Sequence, residues 1–314
     1  MTPRPIGTLR RRITSQVAVT LCALSVIVAL IPLGFIFFFV VSKGIQALNW
    51  NFFTKLPVPV GESGGGMANA ITGSLMLSGL GALGAIPIGI ISGVYMSEYA
   101  GSRLASAGRF AADTLNGVPS IVIGVFVYGI AVLPFKRFSM IAGGIALGIM
   151  MIPIIARTTE ELLRLVPRTL REGALALGAT RGRAVLTVVL PAALPGIITG
   201  VVLALARIAG ETAPLLFTSL NSPYWNVDPK QPTASLTVQI FQYASSPYED
   251  WHRQAWAGAL VLVGIVLVCS ILARVATRRL EKMSAGSCLH FHQQDTEVIQ
   301  REFFFKNITL CIFL

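Results

Sequence analysis

Six long apolar stretches with very few charged residues set the pattern along the chain. A helix needs roughly 20 apolar residues to cross the hydrocarbon layer of a bilayer, and several of these stretches reach that length. A soluble protein of this size would need far more polar loop between its core segments. The pattern therefore predicts an all-α membrane protein with six transmembrane helices. Their approximate bounds are 17–41, 68–95, 115–133, 140–156, 195–216 and 255–273.

Composition and charge agree with a membrane location. Of the 314 residues, 54% are hydrophobic and 12% are charged, whereas soluble domains average about 25% charged residues. A net charge of +11 would suggest a nucleic-acid partner in a soluble chain, but its distribution is more informative here. With the N-terminus inside, the inner segments carry sixteen Lys and Arg residues and the outer segments six. The positive-inside rule therefore predicts cytoplasmic N- and C-termini. The chain is predicted to contact membrane lipid and not nucleic acid.

Three GxxxG patterns lie within the apolar stretches, at 89–93, 144–148 and 196–200. Small residues at this spacing let helices approach closely in lipid, so the patterns predict helix packing. The outer loops, 42–67 and 217–254, contain several prolines and are predicted to be irregular. The sequence has no P-loop motif, no metal-ligand spacing and no nucleophile–base pair, so it predicts neither a catalytic nor a metal site.

A basic segment, 157–191, joins the fourth and fifth predicted spans on the cytoplasmic side. Pro167 suits the first turn of a helix, Gly178 suits its left-handed C-terminal stop, and Thr180 suits the cap of a second helix. Three apolar residues share one face of the first helix: Leu170, Ala174 and Leu177. The segment is predicted to present this face to a groove of another protein. The alternative is a solvated loop whose charges only fix the topology.

The spacing within this segment resembles the EAA motif of ABC importer permeases. In that motif a glycine follows the EAA residues, and the motif ends in I-LP. Glu172 and Gly178 match the motif, Leu190 and Pro191 match its end, and Gly173 stands where alanine is usual. The resemblance implies a coupling helix that docks into a cleft of a separate ATP-hydrolysing subunit. The coupling residues it implies are Leu170, Glu172, Gly173, Ala174, Leu177, Gly178, Leu190 and Pro191.

Four further stretches, 64–77, 86–100, 116–126 and 206–216, are similar to the phosphate-specific ABC importer permeases of the PstA type. The resemblance covers roughly residues 10–283 and implies the type I ABC-importer permease fold in a bacterial inner membrane. It also implies a sister permease in a heterodimer, two copies of an ATP-binding subunit, and a periplasmic phosphate-binding protein. ATP is then bound by a partner, and this chain needs no cofactor.

The resemblance divides the chain into three parts. Residues 1–16 form a cytoplasmic N-terminus, residues 17–283 form the permease domain, and residues 284–314 form an atypical tail outside the fold. The tail matches nothing in the family, and its apolar end is too short to span a membrane. We interpret it as a frameshifted or artefactual terminus; a species-specific extension is the alternative.

Two charged residues, Arg207 and Glu211, interrupt the fifth apolar stretch. At 1.5 Å per residue from Pro195, Arg207 lies about 18 Å along the predicted helix, near the middle of the hydrocarbon layer. A charge at that depth costs on the order of 2.5–3.5 kcal/mol, so it should face the bundle interior or a water-filled path. Glu211, four residues later, is predicted to project from the same face.

We interpret this pair as a phosphate gate. The guanidinium of Arg207 offers a planar fork of donors to an oxyanion, and Glu211 holds that fork when no substrate is present. A salt bridge that staples two helices is a structural alternative, and Gly210 and Pro214 also allow a break in the helix. Three other functions remain open: a permease for sulfate, molybdate or tungstate, a secondary carrier without an ATPase, and a purely structural or regulatory subunit.

Overall fold

The computed structural model describes residues 6–59, 62 and 64–288, and these residues form helices and loops without a β-strand. The helices are α1 (Ile6–Ala47), α2 (Trp50–Thr54), α3 (Ala68–Glu98), α4 (Arg103–Gly117), α5 (Ser120–Val127), α6 (Met140–Leu165), α7 (Arg168–Ala176), α8 (Arg181–Ala184), α9 (Leu190–Ala209), α10 (Ala213–Thr218), α11 (Leu236–Ala244) and α12 (Glu249–Cys288). A π-helical turn follows α5 at Tyr128–Val132, and another joins α8 to α9 at Val185–Val189. Most of the predicted atypical tail, residues 289–314, lies outside the described residues.

The described residues divide into two units, one that contains residues 6–42 and 288 and another that contains residues 43–59, 62 and 64–287. In the first unit, the described part of α1 has largely exposed apolar side chains, as expected of a helix that faces lipid. The second unit holds the main buried cluster and the residues discussed below.

Five helical segments are long and apolar enough to cross a membrane. They are Ile13–Ala47, Ala68–Glu98, Met140–Leu165, Arg181–Ala209 and Glu249–Leu272. Helix α4 and the segment formed by α5 and its π-helical turn form a bent pair, in which the chain direction changes by 104°. They make a sixth crossing if this bent pair counts as one span. The predicted all-α membrane architecture is therefore confirmed, with five clear spans and with six if the bent pair is one span.

The third predicted span has the wrong bounds. The apolar pattern predicts a helix over 115–133, but α4 ends at Gly117 and α5 begins at Ser120. Pro119 lies between them, has no amide hydrogen to donate, and disfavours a helical conformation in the residue before it. The helix therefore stops and changes direction at this proline.

The fourth and fifth predicted spans also differ from the observed helices. Helix α6 continues beyond residue 156 to Leu165, and the helical segment of the fifth span begins as early as Arg181. Hydrophobicity marks only the part of a helix that lies in lipid, whereas main-chain hydrogen bonding continues past that point. The polar end of α6 was therefore missed, whereas the second helix predicted after Thr180 is continuous with the fifth span.

Helices α3 and α6 make the most extensive contact between two helices, and glycines lie along it. A Cβ atom added to Gly93 would lie 2.6 Å from the carbonyl oxygen of Ala156, and one added to Gly81 would lie 3.0 Å from that of Gly144. Such spacing leaves almost no room for a side chain, so the two backbones approach closely. This confirms the packing role predicted for the first two GxxxG patterns. The third pattern packs α9 on α6 in the same way.

We expect Gly93→Leu to disrupt this contact, because its side chain would enter space that Ala156 and Thr159 fill. Overpacking of this kind destabilises a core by about 1–3 kcal/mol. The measurement is the melting temperature and the yield of monodisperse protein in detergent. Gly84→Leu is the matched control, since Gly84 is exposed on the same helix with nothing within 4 Å of where its Cβ would lie. Equal losses in the two variants would contradict a close contact at Gly93.

The outer segment between α10 and α12 contains a buried helix, so the prediction of an irregular loop is wrong there. Helix α11 begins at Leu236, whose amide donates to the hydroxyl of Ser74 on α3 at 2.7 Å. Ser235 caps the helix, because its hydroxyl accepts from the Val238 amide at 3.3 Å. The available sequence signal was this serine before a stretch without proline or glycine.

Candidate substrate path and coupling surface

The fifth span is broken beside Arg207. Helix α9 ends with Gly210 as its cap, and α10 begins at Ala213 with Pro214 in its first turn. The missing amide hydrogen of proline is not needed at that position, whereas it would break the ladder of a continuous helix. The continuous helix predicted over 195–216 is therefore wrong, and the alternative of a break is confirmed.

Arg207 and Glu211 flank the break but do not pair with each other. Arg207 is exposed in the last turn of α9, and Glu211 is half-buried in the segment that joins α9 to α10. No ion pair joins them in the part of the chain that the structure describes. Because the helix ends before Glu211, the i+4 spacing does not put both side chains on one helical face. That geometric prediction is wrong.

Helix α11 holds the main chain at the break. The hydroxyl of Thr237, a residue that is 5% exposed, donates to the carbonyl oxygen of Glu211 at 3.0 Å. A broken helix frees carbonyl groups that need a partner at membrane depth, and Thr237 supplies one. Ile208, next to Arg207, belongs to the main buried cluster with Leu147 and Met151 of α6. The break therefore lies within the bundle and not at its edge.

Arg207 is exposed in the isolated chain. Arg207 lies in the last turn of a helical segment that begins at Arg181, so the predicted position near the middle of the hydrocarbon layer, which was counted from Pro195, is wrong. A charged side chain within a membrane span is still unfavourable in hydrocarbon, so its exposed side must face water or another protein chain. Its planar fork of N–H donors is suited to two parallel hydrogen bonds with one oxyanion. The break thus offers an anion-binding group beside a segment that is not locked into a helix.

The basic segment after α6 forms the predicted helix, turn and second helix. Pro167 directly precedes α7, and Gly178 follows it with a φ of +84°, a conformation that favours glycine. The hydroxyl of Thr180 then accepts from the Arg183 amide at 3.4 Å and caps α8. Local capping residues therefore fix where α7 ends.

Helix α7 and its C-terminal turn expose an apolar surface. No residue of α7 is buried, Leu170 is 44% exposed, and Leu177 is 91% exposed. Glu172 and Gly173 are exposed beside them, and Ala174 is half-buried. A short helix with exposed leucines is suited to a groove on another protein.

Leu190 and Pro191, the last two residues of the predicted coupling set, lie apart from α7, at the start of α9. Leu190 packs against the buried cluster that contains Leu163 and Val189, whereas Pro191 is exposed. The structure therefore brings the other six predicted coupling residues together on α7 and its turn. It places Leu190 in the packing between α9 and α6.

Glu160 on α6 is the centre of an ion-pair cluster that the sequence interpretation missed. It is 1% exposed and accepts hydrogen bonds from Arg109, Arg157 and Arg164 at 2.5, 2.8 and 2.6 Å. Arg157 also pairs with Asp113 of α4 at 3.0 Å. The spacing of the two α6 arginines around Glu160 was an available signal. The contribution of Arg109 was not, because it comes from another helix.

We expect Glu160→Gln to lower the melting temperature of the purified protein, because three guanidinium groups lose the carboxylate that neutralises them. Removing one partner of a buried ion pair costs about 3–5 kcal/mol, and partly exposed arginines favour the lower end of that range. Glu161→Gln makes the same change at the exposed neighbouring residue and should leave the melting temperature unchanged. Equal stability of the two variants would argue against a structural role for the cluster.

These features define a class of protein: a multi-pass helical membrane protein with a short, exposed helix between two spans and a broken span that presents an arginine. The chain belongs to the family of binding-protein-dependent transport system inner membrane components, whose family model matches residues 85–283. It is 46% identical over 266 residues to the phosphate transport system permease protein PstA of Yersinia pestis. That match covers 84% of this chain and 90% of the relative.

Solved ABC transporter structures share the fold. A chain of the bacterial alginate ABC transporter matches with a TM-score of 0.62 and 16% identity, over 88% of this chain and 98% of that chain. A chain of the inward-facing MetNI methionine ABC transporter matches with a TM-score of 0.56 and 20% identity, over 68% and 97%. At these identities the likeness shows the fold alone, and it confirms the predicted type I ABC-importer permease fold. The chain is a multi-pass inner-membrane transport component.

Proposed function

We propose that this chain is a transmembrane permease subunit of an ATP-driven importer that carries inorganic phosphate across the inner membrane by alternating access. The observation that carries the proposal is the exposed guanidinium of Arg207 beside the break in the fifth span. Its donor fork matches a tetrahedral oxyanion. The 46% identity to a phosphate permease supports phosphate as that anion.

Glu211 supplies a carboxylate next to this arginine. Thr237 fixes its main chain, while its side chain makes no ion pair among the described residues. A negative charge near the path weakens anion binding, and conduction requires binding weak enough for release. In the proposed cycle Arg207 holds phosphate, and Glu211 takes the guanidinium after phosphate leaves. Because the two side chains are unpaired in this structure, that step requires the joining segment to move.

A second permease chain completes the proposed path. Arg207 is exposed in the isolated chain. A charged side chain in a membrane span needs water or protein, not lipid, against its exposed surface. A sister permease facing this side would enclose a route between the two chains. The proposed complex is thus a heterodimer of permeases with two copies of an ATP-binding subunit and a periplasmic phosphate-binding protein.

Helix α7 is the proposed contact with the ATP-binding subunit. Leu170 and Leu177 offer the apolar surface and Glu172 the exposed charge beside it. ATP is bound and hydrolysed by that partner, so this chain contributes no catalytic residue, holds no metal and needs no cofactor of its own. In the proposed arrangement α7 and both termini lie in the cytoplasm, and the excess of Lys and Arg in the inner segments supports this orientation.

The anion is tested by competition in the reconstituted importer. Proteoliposomes that hold all four kinds of subunit are supplied with ATP, and uptake of labelled phosphate is measured with excess sulfate, molybdate or tungstate. We expect unlabelled phosphate to suppress the signal and the other anions to leave it near its full value. Suppression by sulfate or by one of the metal oxyanions would assign the path to that anion. Liposomes without this chain provide the background.

A further inference from the structure

Arg171 ties helix α7 to the two central helices of the bundle. Its Nη1 lies 2.8 Å from Oε1 of Glu98 on α3, and its Nη2 donates to the Leu163 carbonyl of α6 at 3.1 Å. The side chains of Arg171 and Glu98 are 25% and 13% exposed. Since no residue of α7 is buried, apolar packing contributes little to its position. The polar contacts of Arg171 therefore set how α7 sits against α3 and α6.

Helix α3 connects this contact to the broken span. Glu98 is its last residue, and Ser74, about 36 Å away at 1.5 Å per residue, accepts from the Leu236 amide of α11. Thr237 of α11 in turn donates to the Glu211 carbonyl at the break. An ion pair, one continuous helix and two hydrogen bonds thus link the docking helix to the proposed substrate path.

We propose that Arg171 and Glu98 form a positioning pair that carries the movement of α7 to α3, and through α3 to the break at Glu211. The inference rests on the proposed function, because it needs an ATP-driven partner that moves α7. The glycine-lined contact with α6 suits α3 to this task, since close-packed helices shift as rigid elements. A half-buried ion pair resists displacement in either direction while adding little to folding stability.

The test measures phosphate transported per ATP hydrolysed by the complete importer in proteoliposomes. Glu98→Gln and Arg171→Ala are expected to assemble and to hydrolyse ATP, but to lose about fivefold or more in this ratio, the size of a typical coupling effect. The double variant Glu98→Arg, Arg171→Glu should recover part of the loss, because it rebuilds the pair with reversed charges. Glu161→Gln and Arg103→Ala are the controls, since both residues are exposed and outside the described ion pairs.

A normal ratio in Arg171→Ala would overturn the proposal. Failure of all three variants to assemble would assign the pair to folding and overturn it as well, and so would a double variant that assembles but is as uncoupled as the single ones. A wild-type complex that hydrolyses ATP without moving phosphate contradicts the proposed function instead. In that case the Arg171–Glu98 pair is tested by measuring how much the binding protein stimulates ATP hydrolysis. The single variants should lose this stimulation, and the double variant should partly regain it.

Discussion

Arg207→Ala is expected to reduce ATP-driven phosphate uptake to background while the importer still assembles. The variant removes the donor fork that α9 exposes beside the break. Hydrogen bonds to charged groups contribute about 1.5–3 kcal/mol, which corresponds to a decrease of at least roughly tenfold in uptake. Assembly should survive, because Arg207 is exposed and makes no ion pair among the described residues. The measurement is the initial rate of uptake, with the subunit composition checked by size exclusion.

Two further variants distinguish the effect of the planar donor fork of Arg207 on uptake from the effect of its positive charge. Arg207→Lys keeps the charge but not the planar fork, so we expect only a small recovery. Arg253→Ala removes a different exposed arginine, near the start of α12, and should transport like the wild type. Wild-type uptake by Arg207→Ala would refute the proposed phosphate gate. Full uptake by Arg207→Lys would show that only the positive charge at this position matters and not the planar donor fork.

Gly178→Val is expected to uncouple ATP hydrolysis from transport. Gly178, two residues after the end of α7, has a φ of +84°. A side chain in the left-handed region costs roughly 1–2 kcal/mol, and more for a β-branched residue. The turn would relax to another conformation and displace Leu177, the most exposed apolar residue of the docking surface. The measurement is phosphate transported per ATP, which should fall about fivefold or more, the size of a typical coupling effect.

The matched variants for this prediction test the backbone conformation directly. Gly178→Asn should keep most of the coupling, because asparagine tolerates the left-handed region. Gly173→Ala should couple normally, since a Cβ at Gly173 meets nothing within 4 Å and alanine favours a helix. If Gly178→Val transports as efficiently as these two, the left-handed turn has no part in docking.

The apolar pattern and local capping residues predicted much of this fold. Transmembrane helices need long apolar stretches, and the helix between Pro167 and Gly178 carries its start and stop signals within a few residues. Both properties depend on the neighbouring sequence alone. The spans, helix α7 and the glycine packing sites were therefore within reach of sequence reasoning.

The remaining features depend on contacts between distant residues. Arg109 reaches Glu160 and Arg171 reaches Glu98 from separate helices, and no local spacing announces either pair. The break after Arg207 was left as an alternative, because glycine and proline in a membrane span are compatible with a bent helix as well as with an interrupted one. Its support by Thr237 comes from a helix that the sequence interpretation took for an irregular loop. What the sequence missed is thus mainly how the elements are held together at the site.

Accumulation of phosphate against a gradient tests the central claim most directly. Proteoliposomes with this chain, its sister permease, the ATP-binding subunit and the phosphate-binding protein are given labelled phosphate, with and without ATP on the side that faces α7. If the chain is part of an ATP-driven importer, phosphate should become more concentrated on the side that faces α7 than on the opposite side, and only when ATP is present. Accumulation limited to equilibration, at the same rate with and without ATP, would contradict the account and assign the chain to a carrier.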